Sequence, residues 1–227
     1  MTLPLIVTRA DPGGRATTER ARKAGLDARA MPLFAARALA WDAPDPAAFD
    51  ALLLTSAQAA RLGGPGLAAL SRLPVWAVGE ATAAASRAAG LTVAVTGPGF
   101  GQGLLDAMAR RGPARLLWLC GRDRSVFGAD GIAIAPLPVY AVDPVPPPPE
   151  WENLVAAPAV VMAHSARGAV RVAELVGDRR KHLTLLAIST AVADAAGEGW
   201  MKKAVSARPA DAAMLAEAPA LCHKTPG

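Results

Sequence analysis

The feature that most constrains this chain is a repeat with a domain-sized period. ALLLTSAQAARL, starting at Ala51, is answered by AVVMAHSARGAVRV, which aligns Ser56 with Ser165. VWAVGEATAAASRAAG is answered by LLAISTAVADAAGEG, aligning Gly79 with Ser189, and VTGPGFGQGLLDAM by VSARPADAAMLAEA, aligning Pro98 with Pro209. The offsets are 109, 110 and 111 residues within a chain of 227. Three features in one order at a nearly constant offset, far longer than a solenoid repeat, argue for two related domains.

Within each copy, short apolar runs alternate with Ala/Arg-rich helical stretches. LPLIV, ALLLT, PVWAV, RLLWL, AVVMA and LTLLAI are continuously apolar and about five residues long, the pattern of parallel strands covered on both faces. The fold class is therefore α/β: two similar parallel-sheet βα domains. The N-terminal βα unit, LPLIVTRADPGGRATTERARKAG, is left over from the first copy and completes the second. That makes one domain discontinuous, residues 1–34 plus 144–227, and the other residues 37–138. The chain then passes between them twice, near 31–37 and 138–144, through a two-strand connector with a ligand cleft between the domains. PLPVYAVDPVPPPP reads as an extended, proline-stiffened part of that connector, outside the core.

Composition narrows the partners. With 52% hydrophobic and 19% charged residues the chain is expected to fold. No apolar run approaches the roughly 18 residues of a membrane span, and Arg9 and Asp11 interrupt any leader-like start. The expectation is a soluble cytoplasmic monomer with no membrane partner. A net charge of +5 with 4% aromatic residues and no nucleic-acid motif suits a small anion and not a nucleic acid. Cys120 reads as a small buried hydrophobe and Cys222 as part of a polar tail. Neither these cysteines nor His164, His182 and His223 have zinc-ligand spacing, so no metal is expected.

In parallel sheets, ligands bind outside the carboxyl ends of the strands. Five such ends carry small polar residues: Thr8-Arg9, Thr55-Ser56, Gly79-Glu80 with Thr82, His164-Ser165 and Ser189-Thr190. Each is compatible with plain helix capping, and together they suit carboxylates held by helix N–H groups and hydroxyls. No nucleophile–base pair, nucleophile elbow or phosphate loop occurs; GFGQG at 99–103 lacks the Lys-Ser/Thr of a P-loop. His164 reads as a locally hydrogen-bonded histidine, with acid–base work as the alternative. Tyr140, the one tyrosine, either packs in the connector or donates a proton to a leaving group.

These pieces resemble the uroporphyrinogen-III synthase family. The matching marks run in family order along nearly the whole chain: LIVTR, FDALLLTSAQAA, AVGEATA, LLWLCGRDR followed by PLPVYAV, VVMAHSARG, LLAIS and RPADAAML. The resemblance implies a cofactor-independent lyase that cyclises hydroxymethylbilane to uroporphyrinogen III, with loss of water and inversion of ring D through a spiro intermediate. It implies Tyr140 as the catalytic acid, and Arg9, Ser56, Gly79, Thr82, Arg122, Ser165 and Ser189 as substrate-binding residues. The chain departs from the family pattern at Ala10, where proline is usual, and at Ala166, where proline commonly follows the serine. It also departs at LCGRDR and at Val192, which stands opposite Thr82. A non-catalytic two-domain binding protein for an anionic small molecule is the alternative reading, and a nucleotide-using α/β enzyme lacks its phosphate loop.

Overall fold

The computed structural model describes residues 2–99, 101–112, 114–124 and 127–223. The chain divides into two compact units, Met1–Ala35 with Pro144–Gly227, and Ala36–Asp143. It begins in the first unit with β1 (Leu5–Val7), α1 (Gly13–Lys23) and β2 (Ala28–Ala30), then leaves through β3 (Phe34–Ala38). The second unit contains β4 (Ala51–Leu54), α2 (Ala57–Leu62), β5 (Val75–Ala77), α3 (Glu80–Ala88), β6 (Val93–Thr96), α4 (Gly101–Ala109) and β7 (Ala114–Gly121). The long β8 (Ile132–Pro144) leads back. The first unit is then completed by α5 (Trp151–Val155), β9 (Val160–Ala163), α6 (Ala166–Val176), β10 (Thr184–Ala187), α7 (Thr190–Ala195), β11 (Lys202–Val205) and α8 (Asp211–Cys222).

The first unit's sheet has the order β11-β10-β9-β1-β2, and its neighbours pair in parallel. The second unit's sheet has the order β3-β8-β7-β4-β5-β6, parallel from β8 through to β6. The repeat explains the likeness. β9, β10 and β11 take the places of β4, β5 and β6, while β1 and β2 stand where β7 and β8 stand in the other sheet. The N-terminal βα unit therefore supplies strands that the second copy lacks.

The central strands of both sheets are buried on both faces, and the period of two sorts alternate residues into opposite layers. In the first unit Leu5, Val7, Val160 and Met162 share one core, whereas Ile6 and Val161 enter another with the fully buried Trp151. In the second, Leu52, Leu54, Val75, Leu117 and Leu119 pack on one side, and Leu53, Trp76, Leu116 and Trp118 on the other. This is why the strands read as unbroken apolar runs. The four outer strands break that rule: β2, whose sequence is only ARA, and β3 (FAARA), β6 (VAVT) and β11 (KKAV), in none of which a residue is buried.

PLPVYAV corrects the expectation that this segment lies outside the core. It forms part of β8, which pairs with β7 from Ala114↔Ile132 to Gly121↔Tyr140. Val139 and Ala141 are fully buried, and Leu137 and Tyr140 pack against the core around Leu117 and Leu119. Pro136 and Pro138 are tolerated because residues two apart aim their missing N–H groups at the same edge of the strand. β3 covers five residues and β8 thirteen, so most of β8 has a strand neighbour on one side only.

Cys222 is a second correction. It is the last residue of α8 and is fully buried against Leu5, Val7 and Met214, and burial raises its thiol to about 11. Apolar contacts from the far N-terminus, invisible in the local sequence, decide its environment.

If β8 is core, Val139→Asp buries an unpaired carboxylate and should cost more than about 3 kcal/mol. Ala135→Asp, on an exposed position of the same strand, should cost less than about 0.5 kcal/mol by the rule for surface changes. Urea midpoints of the two variants check this; equal tolerance of both would mean that the segment behaves as a linker.

Candidate functional site

In the first unit the polar residues gather where β1 and β9 end. Thr8 is buried, and its hydroxyl donates to the carbonyl of Met162 in β9 at 2.8 Å, which closes the end of the ladder. Arg9 follows. Its Nη1 lies 3.3 Å from Asp211 Oδ1 and 3.4 Å from Thr17 Oγ1. Asp211, the first residue of α8, is the hub of the cluster. Its Oδ1 accepts from Thr17 Oγ1 at 2.7 Å and from His164 Nε2 at 2.8 Å, and its Oδ2 accepts from Arg20 Nη2 at 2.5 Å.

Burial pushes the Asp211 carboxyl up, but the hydrogen bonds from Thr17, Arg20 and His164 outweigh it and bring the group down to about 2. His164 moves down from its ordinary value, chiefly because burial disfavours the imidazolium; the bond to Asp211 opposes this. Because the carboxylate accepts, His164 Nε2 carries the proton, and Nδ1 is left buried without a partner among the described residues.

The three serines expected at strand ends are all N-caps in extended backbone conformation. Ser56 Oγ accepts from the N–H of Gln58 at 3.2 Å, Ser165 from Gly168 at 3.0 Å and Ser189 from Val192 at 3.4 Å. Capping occupies a lone pair on each oxygen and leaves the O–H able to donate. Capping and ligand binding therefore do not exclude one another.

In the second unit, Thr55 Oγ1 accepts from Trp118 Nε1 at 3.0 Å. Gly79 caps α3, and its backbone comes close to Gly99, whose N–H donates to the Val78 carbonyl at 2.7 Å. Gly99 has φ +105°, which requires glycine in this turn. The neighbouring Phe100, within the GFGQG stretch, lies outside the described residues. Thr82 sits in the first turn of α3 and is only 5% exposed, so it is more deeply placed than the capping serines.

Arg122 and Tyr140 come together at the end of β7. The Arg122 N–H donates to the Tyr140 carbonyl at 2.9 Å. The tyrosine ring lies over Gly121, where a Cβ would come within 3.0 Å of Cζ. The guanidinium of Arg122 pairs with Asp143, which also binds Arg37 at 2.6 Å. These two arginines, Arg122 first, hold the Asp143 carboxyl below its usual range.

Asp211, Thr17, Arg20, Arg37 and Asp143 were not singled out from the sequence. The one local signal is the acidic first residue of α8, which looks like ordinary pairing with the helix dipole. Among the described residues no cluster of three or more His, Cys, Asp or Glu is placed to hold a metal ion. No helix among them is long and apolar enough to cross a membrane.

Fold and site together define an α/β protein of two parallel-sheet units with hydroxyls and arginines at the strand ends. The chain belongs to the uroporphyrinogen-III synthase family: the family model for uroporphyrinogen-III synthase HemD matches residues 15–216. Its fold is similar to that of uroporphyrinogen-III synthetase from Helicobacter pylori 26695, at 18% identity and a TM-score of 0.67, covering 97% of this chain and 100% of that one. It is also similar to a mutant uroporphyrinogen III synthase from the extremely thermophilic bacterium Thermus thermophilus, at 19% identity and a TM-score of 0.50, covering 97% and 99%. No curated protein sequence matches the chain.

The Asp211 cluster makes stability depend on pH. A carboxyl whose folded pKa is depressed to about 2, against roughly 3.9 unfolded, stabilises the fold above pH ~4, and the contribution is lost as pH falls toward 2. Asp211→Asn should therefore cost up to roughly 2.6 kcal/mol at pH 7 by linkage, and the gap to wild type should shrink below pH ~4. Urea midpoints at pH 7, 5, 4 and 3 measure it; a gap that stays constant to pH 3 would contradict the assignment. His164 acts in the same direction at higher pH. The unfolded chain takes up that proton first, so stability starts to fall once pH drops below about 6.5.

Proposed function

We propose that this protein is a uroporphyrinogen-III synthase, a cyclising lyase that converts hydroxymethylbilane to uroporphyrinogen III with loss of water and inversion of ring D. The observation that carries the reading is the family match over residues 15–216. The polar groups at the strand ends support it, because the substrate is a polycarboxylate. We place the reaction in the cytoplasm and the enzyme as a monomer.

The chemistry asks little of a nucleophile. Protonation of the terminal hydroxyl lets it leave as water and generates an electrophilic azafulvene. The substituted carbon of ring D attacks it to form a spiro intermediate, which fragments and recloses at the other α-carbon of that ring, and a proton is lost. Left in solution, the same electrophile closes to the uninverted isomer. The protein's task is to hold one folded conformation of a self-reactive molecule and to assist the departure of water.

Tyr140 is assigned the acid role. Its backbone is fixed by the β7–β8 ladder and by the Arg122 N–H, and its ring rests on Gly121. The substrate carboxylates are assigned to the outward O–H groups of Ser56, Ser165 and Ser189, to the α3 N-terminus at Gly79 and Thr82, and to Arg9 and Arg122. Charge-assisted hydrogen bonds from arginine are the strongest of these contacts.

Purified protein given fresh hydroxymethylbilane should yield mainly isomer III after oxidation and chromatography. A product mixture equal to the enzyme-free control would rule the reading out. Tyr140→Phe should lower kcat about ten- to a hundredfold, at or below the lower end of the range for a general acid, while substrate still binds. An unchanged kcat would remove the acid role.

A further inference from the structure

Arg9 sits in a pocket made by the absence of a side chain. A Cβ on Gly13, at the start of α1, would lie 2.8 Å from Cζ, Nε and Nη2 of the Arg9 guanidinium, so the group occupies the space that any other residue would fill. Gly13 has none of the left-handed φ values that demand glycine. Its lack of a side chain therefore serves space, not backbone conformation. Equal distances to these three atoms place Gly13 against the face of the guanidinium and not along its edge. Asp211 and Thr17 take Nη1 only, at 3.3 and 3.4 Å, and Nε and Nη2 make no hydrogen bond among the described residues. The side chain is 36% exposed.

Asp211 is itself fully engaged by Thr17, Arg20 and His164. With His164 neutral, Arg9 and Arg20 outnumber the single aspartate by one charge. The Nε–Nη2 side is the edge of a guanidinium that receives a carboxylate through two parallel hydrogen bonds.

We propose that Gly13 and Asp211 are positioning residues for Arg9, fixing its guanidinium so that the Nε–Nη2 edge receives one carboxylate of the substrate. The inference rests on the synthase reading for the identity of that substrate. Gly13 makes the room, and Asp211 anchors the opposite nitrogen from α8, so a binding cation is set by two residues that do not touch the ligand.

Gly13→Ala is the discriminating variant, because a methyl there expels a flexible side-chain end and leaves the helix intact. A residue with only a structural role would raise or leave unchanged the melting temperature on Gly→Ala in a helix and would leave KM alone. With hydroxymethylbilane and the full chain, Gly13→Ala should raise KM five- to tenfold with kcat within twofold and no loss of melting temperature. Asp211→Asn should raise KM similarly while lowering the melting temperature. In an Arg9→Ala background, Gly13→Ala should have no further effect on KM, since there is no guanidinium left to displace. A KM within twofold of wild type for Gly13→Ala overturns the proposal.

Fluorescence titration with uroporphyrin III, an octacarboxylate, separates this proposal from the synthase reading. If wild type forms no isomer III but binds uroporphyrin III, and Gly13→Ala weakens binding five- to tenfold, the synthase reading fails and the positioning role stands. Binding that Gly13→Ala leaves unchanged overturns the positioning role, and so does a wild type that neither binds nor turns over.

Discussion

Parallel strand pairing is the constraint on which the rest of this molecule depends. A parallel pair cannot be closed by a two-residue hairpin, so each strand hands the chain to a crossover before the next begins. The carboxyl ends of the parallel strands in a sheet therefore collect along one edge. In the first unit that edge receives Thr8 and Arg9 after β1, His164 and Ser165 after β9, and Ser189 after β10. In the second it receives Ser56 after β4, Gly79 after β5 and Arg122 after β7. The central strands β1, β9, β10, β4 and β5 are buried on both faces and carry almost nothing polar. Chemistry is consequently displaced to the residues just beyond them, where the helix N-termini also point their unpaired N–H groups.

At each edge an aspartate organises the arginine, and the two solutions differ. Asp211 is 16% exposed and accepts from four side chains, whereas Asp143 is 29% exposed and lies between Arg37 and the solvent-facing Arg122. Exposed ion pairs are worth little in water because solvent and salt screen them. On the proposed reading Arg122 would thus exchange Asp143 for a substrate carboxylate at small cost. Arg9 keeps its aspartate and offers the opposite edge, so on the proposed reading one arginine switches partners and the other is presented ready-made.

The features legible in the sequence were those that repeat or run unbroken. The constant offset marked two units, and the apolar runs LIV, ALLL, VVMA and TLLA marked strands buried on both faces. Three residues of ARA at β2 have no period to detect, and β3 alternates because only part of it is covered. Prolines at 136 and 138 made β8 look like a linker; a strand with one free side tolerates them. The polar neighbours of Cys222 hide its burial, since Leu5 and Val7 lie at the other end of the chain. The Asp211 hub is hidden for the same reason. Thr17 and Arg9 lie 194 and 202 residues away from it, a separation that only the folded sheet closes.

His164 and Asp211 resemble the carboxylate–imidazole half of a catalytic triad, and the geometry shows why they do different work here. A base must expose its second ring nitrogen to the reacting proton, and Nδ1 of His164 is buried with no partner among the described residues. Protonating it would create a buried N–H with nothing among them to accept it, which is why burial drives the imidazole toward neutrality. The pair therefore contributes a fixed donor to Asp211 and no mobile proton. That is consistent with a reaction in which the substrate supplies its own electrophile once water departs. Under the proposed function the remaining demand on the protein is geometric: cations and hydroxyls that hold their places while a flexible polycarboxylate folds onto them. A network centred on Asp211, with its acceptors filled and one positive charge left over on its arginines, meets that demand better than a side chain free to titrate.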